Sequence, residues 1–144
     1  MRSAVRLHSL LAIALLIGIS ACGSSTPTAP DQTSVAYSQT DLTVGTGTEA
    51  TAGTTASVNY GGWLYSESAA DHKGQQFDAN SFAFIVGAGT IIKGFDTGVT
   101  GMKVGGVRRI IVPPSLAYGA TGNPSASIPP NAALVFDIQL VNVQ

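Results

Sequence analysis

The sequence has few cysteines, histidines and charged side chains, and these shortages exclude several kinds of site. One cysteine in 144 residues allows neither an intrachain disulfide nor a cysteine-rich zinc site. There are two histidines, and His8 lies in the leader described below. Any Ser-His-Asp or Cys-His catalysis in the remaining chain would therefore have to use His72, which stands in a small polar segment typical of a solvated loop. We expect no metal and no cofactor.

Charge is also scarce, which argues against a nucleic-acid partner. Charged residues make up 10% of the chain, against about 25% in ordinary proteins. The formal net charge is −1 and there is no basic block, so binding driven by phosphate neutralisation is disfavoured. The 17 glycines form no phosphate-cradling motif. The hydrophobic fraction of 44% suffices for the core of one domain with short appendages.

The first 21 residues have the pattern of a signal peptide. Arg2 and Arg6 precede a mostly apolar run over residues 7–19, which is short against the roughly 20 residues of a membrane span. The run ends in "ISAC", which resembles the bacterial lipobox and implies cleavage before Cys22 and lipid attachment to it. The alternative is an ordinary signal peptide with a chance cysteine near the cleavage site.

This leader predicts where the protein resides, and the residues after it predict where the folded domain starts. Several acyl chains on Cys22 would hold the protein durably to a bilayer. Gly23 stands where Asp commonly retains lipoproteins at the inner membrane, so we expect the outer membrane, facing the periplasm, in a two-membrane cell. Residues 22–34 are rich in Gly, Ser, Thr and Pro and predict a flexible tether. Residues 35–144 form the predicted domain.

The rest of the chain predicts an α+β fold, a twisted antiparallel sheet wrapped around one short helix. Apolar runs at 82–86 and 107–112 end in glycine or proline, as strands do. Residues 134–140 alternate between apolar and more polar positions, as in a half-buried strand. The segment "TIIKGFDTGVTGM" at 90–102 could hold the helix, but its glycines make it depend on packing.

Composition and spacing alone do not name a function. Asp78 follows Phe77 in a polar stretch, where an aspartate is most often an Asx-turn residue. The phenylalanines and tyrosines could simply build the core. Read from the residues by themselves, the chain is a small strand-rich domain without an evident nucleophile.

Four blocks in order, however, resemble the FKBP-type peptidyl-prolyl cis-trans isomerases. They are "VNYGGWLY" at 58–65, "GQQFDAN" at 74–80, "FAFIVGAGTIIKGFDTGVTGMKVGGVRRIIVPPSLAYGATG" at 82–122 and "IPPNAALVFDIQLVNV" at 128–143. The resemblance implies a pocket between sheet and helix that catalyses rotation about Xaa-Pro bonds without forming or breaking a covalent bond. It also implies proline-containing polypeptides as partners, macrolides of the FKBP class as inhibitors, and a monomer.

The resemblance further assigns site residues by motif. The positions implied in catalysis are Tyr60, Asp78, Tyr118 and Phe136. Those implied in substrate binding are Phe77, Phe82, Phe84, Ile91, Ile92, Phe95 and Ile128, with Ile128 at the rim. By the same resemblance, the Ile92 N–H and the Tyr118 hydroxyl bond substrate carbonyls. Asp78 orients the twisted carbonyl and does not act as a general acid.

Three departures from the family pattern leave alternatives open. The pocket floor, usually Trp, is Phe95, and residues 65–73 and 123–127 are longer than usual, which we expect to alter the rim. The first hypothesis is an isomerase that assists folding of extracytoplasmic proteins. The second is a binding module that docks proline-containing segments with little turnover. The third is a structural lipoprotein that uses the fold alone.

Overall fold

The structure, a computed structural model, describes residues 31–144 as a five-stranded antiparallel sheet with one short helix. The elements are β1 (Ser38–Thr43), β2 (Thr55–Tyr65), β3 (Lys73–Ile85), α1 (Lys93–Val99), β4 (Val107–Val112) and β5 (Leu134–Val143), with single 3-10 turns at Pro114–Leu116 and Pro124–Ala126. The strand order is β1-β4-β5-β2-β3 and every neighbouring pair is antiparallel. The predicted fold class is confirmed. The predicted signal peptide and Cys22 lie outside the described residues.

Strand periodicity places the core between the sheet and α1. In β4, Arg108, Ile110 and Val112 are buried and alternate with half-buried residues. In β5, Phe136, Ile138 and Leu140 are buried while Gln139 and Val141 are exposed, as the alternation predicts.

One residue on the opposite, outer face of the sheet departs from this alternation. Val135 is fully buried, although its neighbours Leu134 and Phe136 already face the core. It pairs in register with Trp63 of β2 and Ile111 of β4. The flanking side chains thus cover Val135, and the outer face has a small apolar patch of its own.

Strand β3 is much longer than the apolar run at 82–86 predicts. It spans 13 residues, because the polar stretch from Lys73 to Ser81 also pairs with β2. Polar side chains are tolerated there because β3 is an edge strand with few buried positions. This extension turns Phe77 and Asp78 from loop residues into strand residues.

Two glycines let α1 lie directly on β4. A Cβ on Gly94 would overlap Val112 Cγ1 and stand 3.0 Å from its Cγ2. A Cβ on Gly98 would stand 2.8 Å from Ile110 Cγ2. The glycines that weaken the isolated helix therefore permit the close contact that holds it in place.

A buried arginine fixes the end of this helix. Arg108 Nη1 donates to the carbonyls of Gly98 (2.9 Å) and Thr100 (3.3 Å), where a cation complements the helix C-terminus. Its Nε donates to Asp41 Oδ1 at 2.6 Å and its Nη2 to Oδ2 at 3.3 Å. The hydrogen bond from Arg108 lowers the pKa of Asp41, and the pair joins β1 to the helix.

The outer face carries a second charged cluster. Asp137 accepts from Arg109 Nε at 2.7 Å and from Lys73 Nζ at 2.5 Å. The Lys73 ammonium lies 4.0 Å from the centre of a Trp63 ring. Burial alone would raise the pKa of Asp137, but the two cations outweigh it and the pKa is lowered.

The chain joins the domain on this outer face. The Gln32 side chain donates to the Tyr65 carbonyl at 3.0 Å and accepts from the Ala133 amide at 2.9 Å. Ile111, which alternates with core residues of β4, lines the same groove as residues 31–38. The end of the predicted tether therefore already packs on the domain. Between residues 31 and 144 no helix is long and apolar enough to cross a membrane.

Candidate active site

A pocket of about 580 Å³ opens between the sheet and the N-terminal end of α1. Each of its walls comes from a different element. The lining residues are Tyr60 from β2; Phe77, Asp78 and Phe82 from β3; Thr90, Ile91 and Ile92 from the segment before α1; Phe95 from α1; Tyr118 from the segment after β4; and Phe136 from β5. The lining is mostly aromatic and branched aliphatic, which suits an apolar group of a ligand.

Phe95 forms the floor. It is 3% exposed, and its ring centre lies 5.3 Å from that of Phe136, 5.6 Å from Tyr60 and 5.6 Å from Phe82. The contacts with Phe136 and Tyr60 are edge-to-face, a favourable arrangement of aromatic rings. Four rings thus fix one another at the base of the pocket.

The side walls continue this aromatic packing. Phe82 meets Tyr60 edge-to-face at 5.5 Å, and Phe77 meets Phe136 in the same way at 5.7 Å. The walls depend on Gly62, because a Cβ there would lie 2.7 Å from Phe77 Cζ and 3.0 Å from Phe136 Cε1. Gly62, the second glycine of "NYGG", therefore leaves room for two pocket rings.

Asp78 is held at the pocket by a tyrosine, not by a local turn. The Tyr60 hydroxyl donates a hydrogen bond to the Asp78 carboxylate across the β2–β3 pair. Burial raises the pKa of Tyr60, and the hydrogen bond to Asp78 raises it further. The hydroxyl therefore stays protonated and remains a donor at physiological pH. The Asx-turn interpretation of Asp78 is wrong, because the residue lies within β3 and its recorded partner is 18 residues away.

Two polar groups complete the opposite side. Ile92 has an extended backbone (φ −58°, ψ 137°) just before α1, and no backbone carbonyl of residues 31–144 accepts a hydrogen bond from its N–H. Tyr118 also lines the pocket and is 37% exposed. The resemblance assigns both as donors to substrate carbonyls, and this assignment stays a prediction.

The structure brings together nine of the eleven site residues that the sequence suggests. The two exceptions are Phe84 and Ile128, which do not line the pocket. Phe84 is 6% exposed and packs behind the wall, 5.4 Å from Phe82 and 6.1 Å from Phe95. Ile128 is 2% exposed and belongs to the core, so its expected place at the rim is wrong.

Sequence reasoning also missed one lining residue. Thr90 lines the pocket, and its position directly before Ile91 was the available signal. The longer segments at 65–73 and 123–127 contribute no residue to the lining, and their effect on the rim stays a prediction. The first is the connection between β2 and β3, where His72 stacks on Tyr65 at 4.9 Å, away from the pocket.

The chemistry of the site is that of binding and orientation. Its polar groups are one carboxylate, two phenol hydroxyls, the Thr90 hydroxyl and backbone amides. Within the described part of the chain, no three His, Cys, Asp or Glu side chains form a cluster suited to a metal. The arrangement can hold an apolar ring in the aromatic pocket while hydrogen-bond donors and one carboxylate contact polar groups attached to that ring.

Fold and site together define a small sheet-and-helix domain with an aromatic pocket between the sheet and the helix. Residues 46–141 match the family described as FKBP-type peptidyl-prolyl cis-trans isomerase. The chain belongs to this family.

Relatives and solved structures agree with this assignment. FK506-binding protein 3 of Yarrowia lipolytica is 46% identical over 108 residues, which are 72% of this chain and 24% of that protein. The crystal structure of AtFKBP13 has a TM-score of 0.62 at 32% identity and covers 75% of this chain and 93% of its own. A peptidyl-prolyl cis-trans isomerase from Pseudomonas syringae has a TM-score of 0.62 at 30% identity and covers 81% and 83%. The chain spans only 20–24% of the length of the first curated relatives.

Proposed function

We propose that the chain is an enzyme that accelerates cis-trans isomerisation of Xaa-Pro peptide bonds. Rotation about this bond has a barrier of about 18–20 kcal/mol because it destroys amide resonance. Uncatalysed, it takes tens to hundreds of seconds. No covalent bond is broken, so the reaction needs neither a nucleophile nor a metal. The polar groups of the pocket fit such a reaction.

The aromatic pocket carries this proposal. The prolyl ring enters the space above Phe95, between Tyr60, Phe82 and Phe136. The planar amide has more charge separation than the twisted amide, so a dry aromatic pocket disfavours the ground state relative to the transition state. Interactions that are stronger in the transition state lower the barrier.

The groups at the mouth hold the substrate in this geometry. The Ile92 N–H and the Tyr118 hydroxyl donate hydrogen bonds to substrate carbonyls. Asp78, oriented by Tyr60, acts electrostatically on the carbonyl that rotates. It does not act as a general acid and transfers no proton.

A protease-free isomerisation assay on Xaa-Pro peptides tests the proposal with the full chain. We expect turnover that a macrolide of the FKBP class inhibits. The second candidate is a docking module for proline-containing segments, and it is favoured by Phe95, which gives a smaller floor than Trp. Saturable macrolide binding without turnover would support docking and contradict the enzyme.

We further propose that the protein is a lipid-anchored monomer outside the cytoplasmic membrane. Cys22 would carry the lipid in the outer membrane, facing the periplasm, and the clients would be folding extracytoplasmic proteins. The support is the lipobox-like "ISAC" and the Gly23 that follows it. Metabolic labelling with a fatty acid is expected to mark the wild type, and Cys22→Ser is expected to lose the label. Label retained in the variant would contradict the anchor.

The proposed monomer has a test of its own. Light scattering of the delipidated chain measures its molar mass, and a mass of two or more chains would contradict the monomer.

A further inference from the structure

A buried carboxylate outside the pocket holds one of its walls. Asp96 lies in the first turn of α1 and is 8% exposed. Its Oδ1 accepts from the Gly87 N–H at 2.7 Å, and its Oδ2 accepts from the Gly89 N–H at 3.4 Å. The salt bridges among residues 31–144 do not include Asp96. Backbone amides therefore provide the compensation that a buried charge requires.

These amides belong to residues 87–92, which we call the wall loop. The wall loop connects β3 to α1 without regular structure, and its last three residues line the pocket. Gly87 (φ +79°) and Gly89 (φ +70°) adopt the left-handed backbone that glycine tolerates best. Glycine also gives the unfolded chain more conformational freedom, so contacts from outside the loop help to define its shape.

Asp96 contacts the wall loop at both ends. The carboxylate binds the amides at the start of the loop, and the Asp96 backbone N–H donates to the Ile92 carbonyl at 3.2 Å at its end. Asp96 also follows Phe95 directly in α1, so the same turn of helix carries the pocket floor. Asp96 therefore links the helix turn that carries the floor to the wall that Ile91 and Ile92 form.

We propose that Asp96 is a positioning residue of the isomerase: its carboxylate fixes the wall loop so that Ile91 and Ile92 meet the substrate in the productive geometry. This proposal rests on the isomerase activity proposed above. Asp96 does not touch the substrate. It acts through the backbone of the wall loop, where small displacements of binding groups reduce catalysis strongly.

The test compares Asp96→Ala and Asp96→Asn with wild type in the full chain. The alanine variant removes both side-chain acceptors. The asparagine variant keeps one carbonyl oxygen for the Gly87 amide, loses the acceptor for Gly89, and preserves the volume in case alanine prevents folding. Thr97→Ala, exposed on the same helix, is the matched control. Measurements are kcat and KM on an Xaa-Pro peptide, well below the unfolding midpoint, and amide hydrogen exchange.

We expect kcat/KM to fall roughly ten- to a hundredfold in Asp96→Ala and by a smaller factor in Asp96→Asn, with Thr97→Ala unchanged. Exchange should accelerate at the Gly87 and Gly89 amides, which donate to Asp96, while β4 and β5 stay protected. Variants that fold, lose stability and keep wild-type kcat/KM would overturn the proposal, because a purely structural role predicts that result.

The outcome for Asp96 is separable from the outcome for the activity. If wild type itself shows no turnover, the proposed function fails. The positioning role is then decided by exchange alone. Unchanged protection of Gly89 in Asp96→Asn, or of Gly87 and Gly89 in a folded Asp96→Ala, overturns it, and selective loss of protection at these amides supports it.

Discussion

Replacing Gly94 by alanine tests whether close contact between helix and sheet sets the pocket floor. The added Cβ would overlap Val112 Cγ1 and lie 3.0 Å from Cγ2. Overpacking of this kind costs about 1–3 kcal/mol, against a gain of up to about 1 kcal/mol from the better helix propensity of alanine. We expect a net loss of about 1–2 kcal/mol in the free energy of unfolding.

A second substitution on the facing strand makes this prediction specific. Val112→Ala alone removes two methyl groups from a fully buried site, which costs about 2 kcal/mol. In the double variant the alanine at position 94 occupies the vacated space, although Val112 Cβ at 3.2 Å still leaves a tight contact. The double variant should therefore be no less stable than Val112→Ala.

Urea unfolding measures the free energy of unfolding of wild type, the two single variants and the double variant, which together form a double-mutant cycle. The single tryptophan, Trp63, is the fluorescent reporter. Because Phe95 adjoins Gly94, kcat/KM should fall in Gly94→Ala and recover in the double variant. Thr97→Ala on the exposed side of the helix should be neutral or stabilising. Strictly additive losses in the double variant would refute the argument, because they would mean that the Cβ at position 94 does not meet Val112.

Three further predictions concern polar and charged side chains. Asp78→Ala and Tyr118→Phe should each lower kcat/KM by about tenfold, from the loss of one interaction with the substrate peptide groups; a drop below about twofold for both contradicts the assigned roles. Asp137→Asn should lower the free energy of unfolding by about 1–3 kcal/mol, because two partly buried cations lose their partner; an unchanged urea midpoint contradicts this. The pKa values of Asp41 and Asp137 are both lowered from 3.8, so their ion pairs stabilise the fold fully above about pH 5, and this contribution disappears as the pH falls through the folded pKa values. The urea midpoint should therefore fall on acidification, and less steeply in Asp137→Asn.

Local pattern was sufficient for the sheet and the helix. The alternation in β5 identifies its core face, since one buried side of a strand imposes period two. The extent of strand pairing was harder to predict. The sequence near Gln75 and Gln76 does not indicate a strand, because an edge strand can pair through backbone hydrogen bonds without apolar side chains.

The site was predictable as far as motif resemblance assigns positions, and less so where packing decides. Phe82 and Phe84 stand two apart in one strand, yet Phe82 lines the pocket while Phe84 lies behind it. Both point to the same side of β3, so periodicity cannot separate them. Only the position of α1 determines which ring meets the ligand. Asp96 has no signal of its own, because its partners are backbone amides.

The attachment of the chain at Gln32 has a mechanical consequence. Gln32 binds the sheet on the side that carries Ile111, whereas the pocket opens on the side that carries α1. A pull applied at Gln32 would load Tyr65 at the end of β2 and Ala133 directly before β5, and would not cross the mouth of the pocket. A domain held at this point therefore leaves the mouth of its pocket uncovered by the attachment.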